Sequence, residues 1–154
     1  MSKTLANDVA LLLLRLSGLG LALAHGYGKV VALSTGGGDR FIEGVASLGF
    51  PLPALFAWAA ALAEFLGGLL VALGVGTRVA ASLVAVTMFV AAFFRHHALD
   101  RLLVAVGMRQ ASEETLRSWG NPELALLYLL VFATLVLTGG GRLCLDRVLP
   151  ARRR

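Results

Sequence analysis

Four long apolar segments dominate the chain, and polar or glycine-rich stretches separate them. We expect helices at about 8–30, 52–73, 78–94 and 122–138. Each segment is long enough to cross hydrocarbon roughly 30 Å thick at about 1.5 Å per residue. Only a short glycine turn separates the second segment from the third, so these two should form an antiparallel hairpin. The pattern predicts an all-α integral membrane protein, an antiparallel four-helix bundle in one domain.

The other two connections are longer and differ from the hairpin turn. The first, residues 31–50, contains the glycine-rich stretch "STGGGDR" followed by a short helical pattern. The second, residues 95–120, contains "ASEETLRSW", which favours a surface helix lying near the lipid headgroups.

The composition agrees with a membrane protein. Of 154 residues, 58% are hydrophobic and only 15% are charged, against roughly 25% charged residues in soluble domains. The net charge of +5 comes largely from a basic C-terminal tail, residues 142–154, which we interpret as a topology signal and not as a nucleic-acid surface. The distribution of Lys and Arg predicts both termini on the cytoplasmic side. Cys144 is the single cysteine, which excludes an intrachain disulfide or a paired-cysteine relay.

Three basic residues interrupt the first apolar segment. Arg15, His25 and Lys29 fall within an arc of about 80° on a helix, together with small residues such as Gly18 and Ala22. We expect this stripe to face other helices, because charge is costly against lipid and small residues let helices approach closely.

Glu64 is the one acid deep within a predicted span, and it lies in a seam of small residues that includes Gly68. Helix lengths place Glu64 and Arg15 at similar depth, so we expect them to lie close together. Two interpretations stay open. The two residues form a buried ion pair that locks the first two helices together, or they line a site for a polar or protonatable ligand.

The histidines gather near one end of the predicted bundle. His25 lies near the end of the first helix, His96 and His97 follow the third, and Glu123 lies near the same level at the start of the fourth. The spacing contains no pair of histidines four residues apart, so we predict no metal site. A proton relay, an anion-facing mouth and a solvated helix end stay open as interpretations.

Several motifs together resemble the DoxX family of small bacterial and archaeal membrane proteins. They are "LLRLSGLGLALAHGYGK", "GFPLPALFAWAAALAEFLGGLLVALGVGTRVAA", "NPELALLYLL" and "GGGRLCLD". The residues that match the family pattern are Arg15, His25, Lys29, Glu64, Gly68, Glu123, Arg142 and Asp146. The last motif departs from the pattern, with Gly140 where proline is common and Cys144 where serine is common. Arg142 and Asp146 also have the spacing of a surface ion pair after the last helix.

The resemblance implies a membrane protein linked to redox chemistry, similar to the small-subunit relatives of a thiosulfate:quinone oxidoreductase. We expect a quinone, the one cofactor implied, to enter between the first two helices. Glu64, Arg15 and His25 are the expected catalytic residues. The expected quinone-binding residues are Arg15, His25, Lys29, Glu64 and Gly68.

Electrons would come from soluble or membrane redox partner proteins, because the chain has no flavin or dithiol signature. The alternative is a non-catalytic membrane scaffold that assembles other redox or stress-response proteins. The expected partners further include the lipid bilayer and a second copy of the chain, but no nucleic acid. The predicted location is the inner (plasma) membrane of a bacterium or archaeon, as a multi-pass protein.

Overall fold

A computed structural model describes residues 2–147, and in that range the chain contains helices and no strand. Four of the helices are long or medium in length, and three shorter ones lie in the connections. In chain order they are α1 (Lys3–Ser34), α2 (Asp39–Ala46), α3 (Pro53–Leu73), α4 (Thr77–Arg95), α5 (Ala98–Ala105), α6 (Glu113–Trp119) and α7 (Glu123–Thr138). A short 3-10 turn at Leu145–Arg147 ends the described part.

Four segments are long and apolar enough to cross a membrane: α1, α3, α4 and the stretch Glu113–Thr138 that contains α6 and α7. The helices α1, α3, α4 and α7 pack in a ring in which each contacts the next and α7 returns to α1. Successive spans run in opposite directions. The predicted all-α, antiparallel four-helix membrane bundle is therefore confirmed.

Local signals explain where the spanning helices begin and end. The Ser2 hydroxyl accepts a hydrogen bond from the Leu5 amide at the start of α1, and Pro53 occupies the first turn of α3. Gly74 ends α3 with a φ of 76°, a left-handed conformation that costs glycine little. The Asn121 side-chain oxygen accepts from the Glu123 amide at 2.9 Å and so caps α7.

The first helix is longer than we predicted. It begins at Lys3 and ends at Ser34, not at about 8 and 30, and its 32 residues span about 48 Å. Its N-terminal cap is Ser2. The short helices α2 and α6 fall where the sequence of the two long connections suggested them. Residues 148–154 of the predicted basic tail lie outside the described residues.

The bundle places side chains as a membrane protein does. Its centre holds fully buried apolar residues, among them Leu21, Val71, Val84, Phe132 and Leu135. The outer surfaces of the spanning helices carry large exposed apolar side chains, among them Leu13, Leu66, Val79, Val86, Leu130 and Leu137. Such side chains would be unfavourable in water but are compatible with lipid contact.

Three of the spanning helices contain one widened turn of π-helix. The widened turns are Ala22–Gly26 in α1, Ala63–Gly67 in α3 and Ala91–Arg95 at the end of α4. A π turn accommodates one extra residue and changes the direction in which the neighbouring side chains point, and such turns are frequent at functional sites. Contact between the first two widened turns is extensive.

The two ends of the bundle carry different polar residues. We call the end that holds Asp8, Arg15 and Arg142 the terminal end, because the beginning and the end of the described chain meet there. We call the other end, which holds Lys29 and His96, the cavity end, because a cavity opens there. The contact between Asp8 and Arg142 confirms that the two ends of the described chain meet at one side, as a four-span protein requires.

Candidate functional site

The most buried ion pair of the described chain joins α1 to α3. The Lys29 ammonium lies 2.6 Å from both carboxylate oxygens of Glu64, and the Glu64 side chain is 4% exposed. The Lys29 side chain is 32% exposed, so its end of the pair faces an opening. Glu64 is therefore paired and hydrogen-bonded inside a span where an unpaired charge is costly.

Close backbone packing brings these two residues together. Gly26, in the widened turn of α1, lies against the backbone of Glu64 and Phe65. A side-chain carbon at Gly26 would stand 2.6 Å from the Phe65 Cα. Glycine alone allows this approach, and it follows that the two widened turns face each other across the helix contact.

A cavity of about 180 Å³ opens beside the ion pair at the cavity end. All four spanning helices contribute to its wall, which contains both apolar and polar side chains. The apolar residues are Leu21, Met88, Ala91, Leu124 and Ala125, and the polar ones are His25, Lys29, Glu64, His96, Asn121 and Tyr128. Each of the three widened turns supplies at least one of these residues, namely His25, Glu64 and Ala91.

The remaining polar groups of the cavity have defined neighbours. The His25 and Tyr128 rings meet edge to face, with 6.4 Å between their centroids. His96 Nδ1 lies 2.9 Å from the Trp119 carbonyl oxygen, at the end of α6. Neither Asn121 nor Tyr128 was among the residues predicted from sequence. Their positions depend on how α7 rotates against α1, which hydropathy does not report.

Arg15 is not part of this cavity, and the expectation that it lies beside Glu64 is wrong. Arg15 donates to the carbonyl oxygens of Gly140 at 2.8 Å and of Ala72 at 3.3 Å. Ala72 is eight residues beyond Glu64, about 12 Å along α3. The depth estimate failed because it counted from the start of the first helix, whereas Arg15 lies level with Ala72, near the end of α3.

Gly68 also serves the helix contact and does not line the cavity. A side-chain carbon at Gly68 would stand 2.6 Å from the Gly18 carbonyl oxygen, and one at Gly18 would stand 2.5 Å from the Gly68 carbonyl oxygen. The two glycines let α1 and α3 touch backbone to backbone. Of the five predicted quinone-binding residues, the structure thus brings His25, Lys29 and Glu64 to one cavity and leaves Arg15 and Gly68 outside it.

The segment after α7 folds back across the terminal end. Asp8, which is 5% exposed, accepts from the Arg142 amide and from its Nε, both at 3.0 Å. The Asp146 carboxylate accepts from the Gly76 amide at 2.8 Å. Arg142 and Asp146 therefore bind other elements, which corrects the expectation that they form an ion pair with each other. We name residues 139–147 the closing segment.

Cys144 lies in the closing segment and is partly exposed. Its thiol donates to the Gly141 carbonyl oxygen at 3.2 Å. As for metals, residues 2–147 contain no group of three or more His, Cys, Asp or Glu side chains arranged to hold an ion.

Residues 10–97 of the chain match the model of the DoxX family. The chain belongs to the DoxX family. The matched range contains most of α1 and all of α3 and α4, and therefore the Lys29–Glu64 pair together with His25 and His96. The rest of the cavity wall, including Asn121 and Tyr128, lies beyond it.

A relative supports the same assignment across nearly the whole chain. The chain is 32% identical over 142 residues to a protein named inner membrane protein YphA from Escherichia coli (strain K12), covering 92% of this chain and 91% of the relative. No solved structure matches the chain. Four apolar spans and an inner membrane relative confirm the predicted location, a multi-pass protein of the inner membrane.

Proposed function

We propose that this DoxX protein is a quinone-linked membrane redox component that binds a quinone head group in the cavity beside Lys29 and Glu64. The size of the cavity supports this. An apolar protein cavity of about 150 Å³ holds one benzene molecule, so about 180 Å³ suffices for a single substituted six-membered ring. The isoprenoid tail of a quinone would remain in the lipid around the bundle.

The chemistry of the cavity wall gives the proposal its main support. A quinone ring has apolar faces and two carbonyl oxygens that accept hydrogen bonds. Apolar side chains such as Leu21 and Met88 line the cavity, and Lys29 supplies a cationic hydrogen-bond donor. Lys29 has three N–H groups, and Glu64 holds it from one side only, so Lys29 is the residue that would bind a ring oxygen.

A bound quinone supplies a two-electron, two-proton couple, so its site needs groups that exchange protons with one face of the membrane. Lys29 and Glu64 are two protonatable groups that are hydrogen-bonded to each other inside the span. His25 lines the same cavity from the widened turn of α1. These three residues provide a protonatable path from the cavity end to the ring position. Electrons would be exchanged with a partner protein.

The test is a comparison of quinone content in protein purified gently from membranes. We expect close to one quinone per chain in the wild-type protein and a loss of at least tenfold in a Lys29→Met, Glu64→Gln double variant. The double variant removes both charges together and so leaves no unpaired charge buried. Glu43→Gln makes the same acid-to-amide change on the exposed face of α2 and should retain the quinone.

A second candidate function, a non-catalytic scaffold, is favoured by one observation. Lys29 already satisfies both oxygens of Glu64, so the pair is complete without a ligand and stabilises the contact of α1 with α3. Under this alternative, neither the wild-type protein nor the double variant would hold quinone, and the variant would differ only in thermal stability. That outcome would reject the quinone proposal.

A further inference from the structure

The Trp119 carbonyl oxygen determines which ring nitrogen of His96 carries the hydrogen. The His96 Nδ1 lies 2.9 Å from the Trp119 carbonyl oxygen. A carbonyl oxygen only accepts hydrogen bonds, so Nδ1 must carry the hydrogen. In the neutral ring, the other nitrogen, Nε2, is then an acceptor with a free lone pair. No hydrogen bond to Nε2 is formed within residues 2–147.

The position of the His96 ring is set by the backbone around it. Gly120, with a φ of 70°, packs against the ring so closely that a side-chain carbon there would stand 3.1 Å from Nδ1. His96 follows the widened turn at the end of α4 and lines the cavity together with Asn121 and Lys29. The ring is therefore held in place while one acceptor nitrogen remains available.

Asn121 complements His96 on the same wall. Its side-chain oxygen accepts from the Glu123 amide at 2.9 Å, which identifies the oxygen end of the side chain. The remaining Nδ2 group is a donor only, and it forms no hydrogen bond in the part of the chain that the structure describes. The wall therefore presents an acceptor at His96 and a donor at Asn121.

From these two assignments we propose that His96 and Asn121 distinguish the two redox forms of the ring, His96 Nε2 accepting from the hydroxyl of a quinol and Asn121 Nδ2 donating to the carbonyl of a quinone. This inference rests on the proposed function and adds specificity residues to it. The two forms differ at these oxygens, which both donate and accept in the quinol and only accept in the quinone. The His96 acceptor therefore adds to the binding of the quinol alone, whereas the Asn121 donor supplies the kind of hydrogen bond that a quinone oxygen requires.

The experiment measures the affinity of a short-tailed benzoquinone and of its benzoquinol, the latter under anaerobic conditions, for the full chain in lipid nanodiscs. His96→Asn is the first variant, because its amide can still donate to the Trp119 carbonyl while the Nε2 acceptor is lost. We expect it to weaken quinol binding about tenfold and quinone binding less than twofold, as for the loss of one good hydrogen bond.

Two further variants complete the design. Asn121→Asp retains the cap on α7, since Asp and Asn cap equally well, but removes the Nδ2 donor. It should weaken quinone binding about tenfold, whereas quinol binding should fall less than twofold, because the quinol hydroxyl can donate to the new carboxylate and a quinone oxygen cannot. His97→Asn is the matched control. His97 has a φ of 50°, which Asn tolerates, and it binds Asp100 and stacks on Trp119 outside the cavity wall. Both affinities should stay within twofold of wild type.

The outcomes separate the two proposals. Opposite selectivity changes in His96→Asn and Asn121→Asp would support the assignment. If the wild-type protein binds both rings but the two variants weaken both forms equally, or neither, the assignment is wrong and the quinone site stands. If the wild-type protein binds neither ring saturably, both proposals are wrong. Should His96→Asn fail to fold, Asn121→Asp alone decides, by losing the quinone form selectively or not.

Discussion

The Lys29 ammonium lies 2.6 Å from both carboxylate oxygens of Glu64, yet of the two side chains only that of Glu64 is buried. The Glu64 side chain is 4% exposed and that of Lys29 is 32% exposed. The two charges therefore differ in what happens when one of them is left alone. Water at the cavity end can reach Lys29, whereas Glu64 depends on Lys29 for its hydrogen bonds.

We predict from this asymmetry that Lys29→Met destabilises the protein more than Glu64→Gln does. The first change leaves a buried carboxylate without a partner, which costs about 3 kcal/mol, and the second leaves a partly hydrated ammonium, which costs about 1 kcal/mol. Thermal unfolding in detergent measures both. The double variant should recover most of the loss caused by Lys29→Met, and a strictly additive loss would contradict the pair as described.

The glycine contact between α1 and α3 gives a second prediction. Gly18→Ala should lower the free energy of unfolding by about 3 kcal/mol, because the new carbon would stand 2.5 Å from the Gly68 carbonyl oxygen and the helices would have to separate. Gly28→Ala is the control in the same helix, with nothing within 4 Å of the added carbon. It should be neutral or stabilising by up to about 1 kcal/mol. Equal losses in the two variants would show that the helices are not in contact at Gly18.

Arg15 should matter to the terminal end and not to ligand binding. Arg15→Lys keeps the charge but cannot reach the Gly140 and Ala72 carbonyls with the same fork, so we expect a loss of about 1–2 kcal/mol. Release of the closing segment should also make Cys144 react several-fold faster with a maleimide. Quinone affinity should stay within twofold of wild type. A tenfold loss of quinone affinity without a loss of stability would show that Arg15 does take part in ligand binding.

The predicted orientation can be tested with the same cysteine. Cys144 lies in the closing segment at the terminal end, and Met108, which is 77% exposed, follows α5 at the cavity end. With both termini in the cytoplasm, a membrane-impermeant maleimide should label Cys144 in inverted vesicles and not in intact spheroplasts. A Met108→Cys variant in a Cys144→Ser background should show the reverse. The opposite labelling of the two positions would invert the topology.

Hydropathy was sufficient to predict the spans and their antiparallel order, because lipid requires long apolar helices whatever their neighbours. It predicted the ends of α3 well, where Pro53 and Gly74 mark them. It failed for α1, whose polar flanks at Lys3 and Ser34 continue the helix beyond the apolar core. Composition cannot show that a helix continues into the headgroup region.

The sequence points to individual residues of the candidate site, but it does not show which of them pair. His25, Lys29 and Glu64 were all selected from the sequence, but Glu64 was matched with Arg15. The correct partner depends on the register between α1 and α3, which the Gly18–Gly68 and Gly26–Phe65 contacts determine. Asn121, which caps α7, and Tyr128, which lies within it, are not identified from the sequence, because a single sequence does not show which residues of a later helix pack near Glu64.

The widened turn Ala63–Gly67 has a consequence for how this protein tolerates change in chain length. A π turn contains one residue more than an α turn, so deleting one residue there would leave a regular helix of almost the same hydropathy. Because the widened turn absorbs its extra residue locally, the rest of α3 would keep its faces toward α1, and the change would fall on the side chains of the turn itself, Glu64 among them. A deletion of this kind would leave a protein that still inserts into the membrane and packs its helices, but whose Glu64 no longer points at Lys29, separating insertion from the buried ion pair by a single codon.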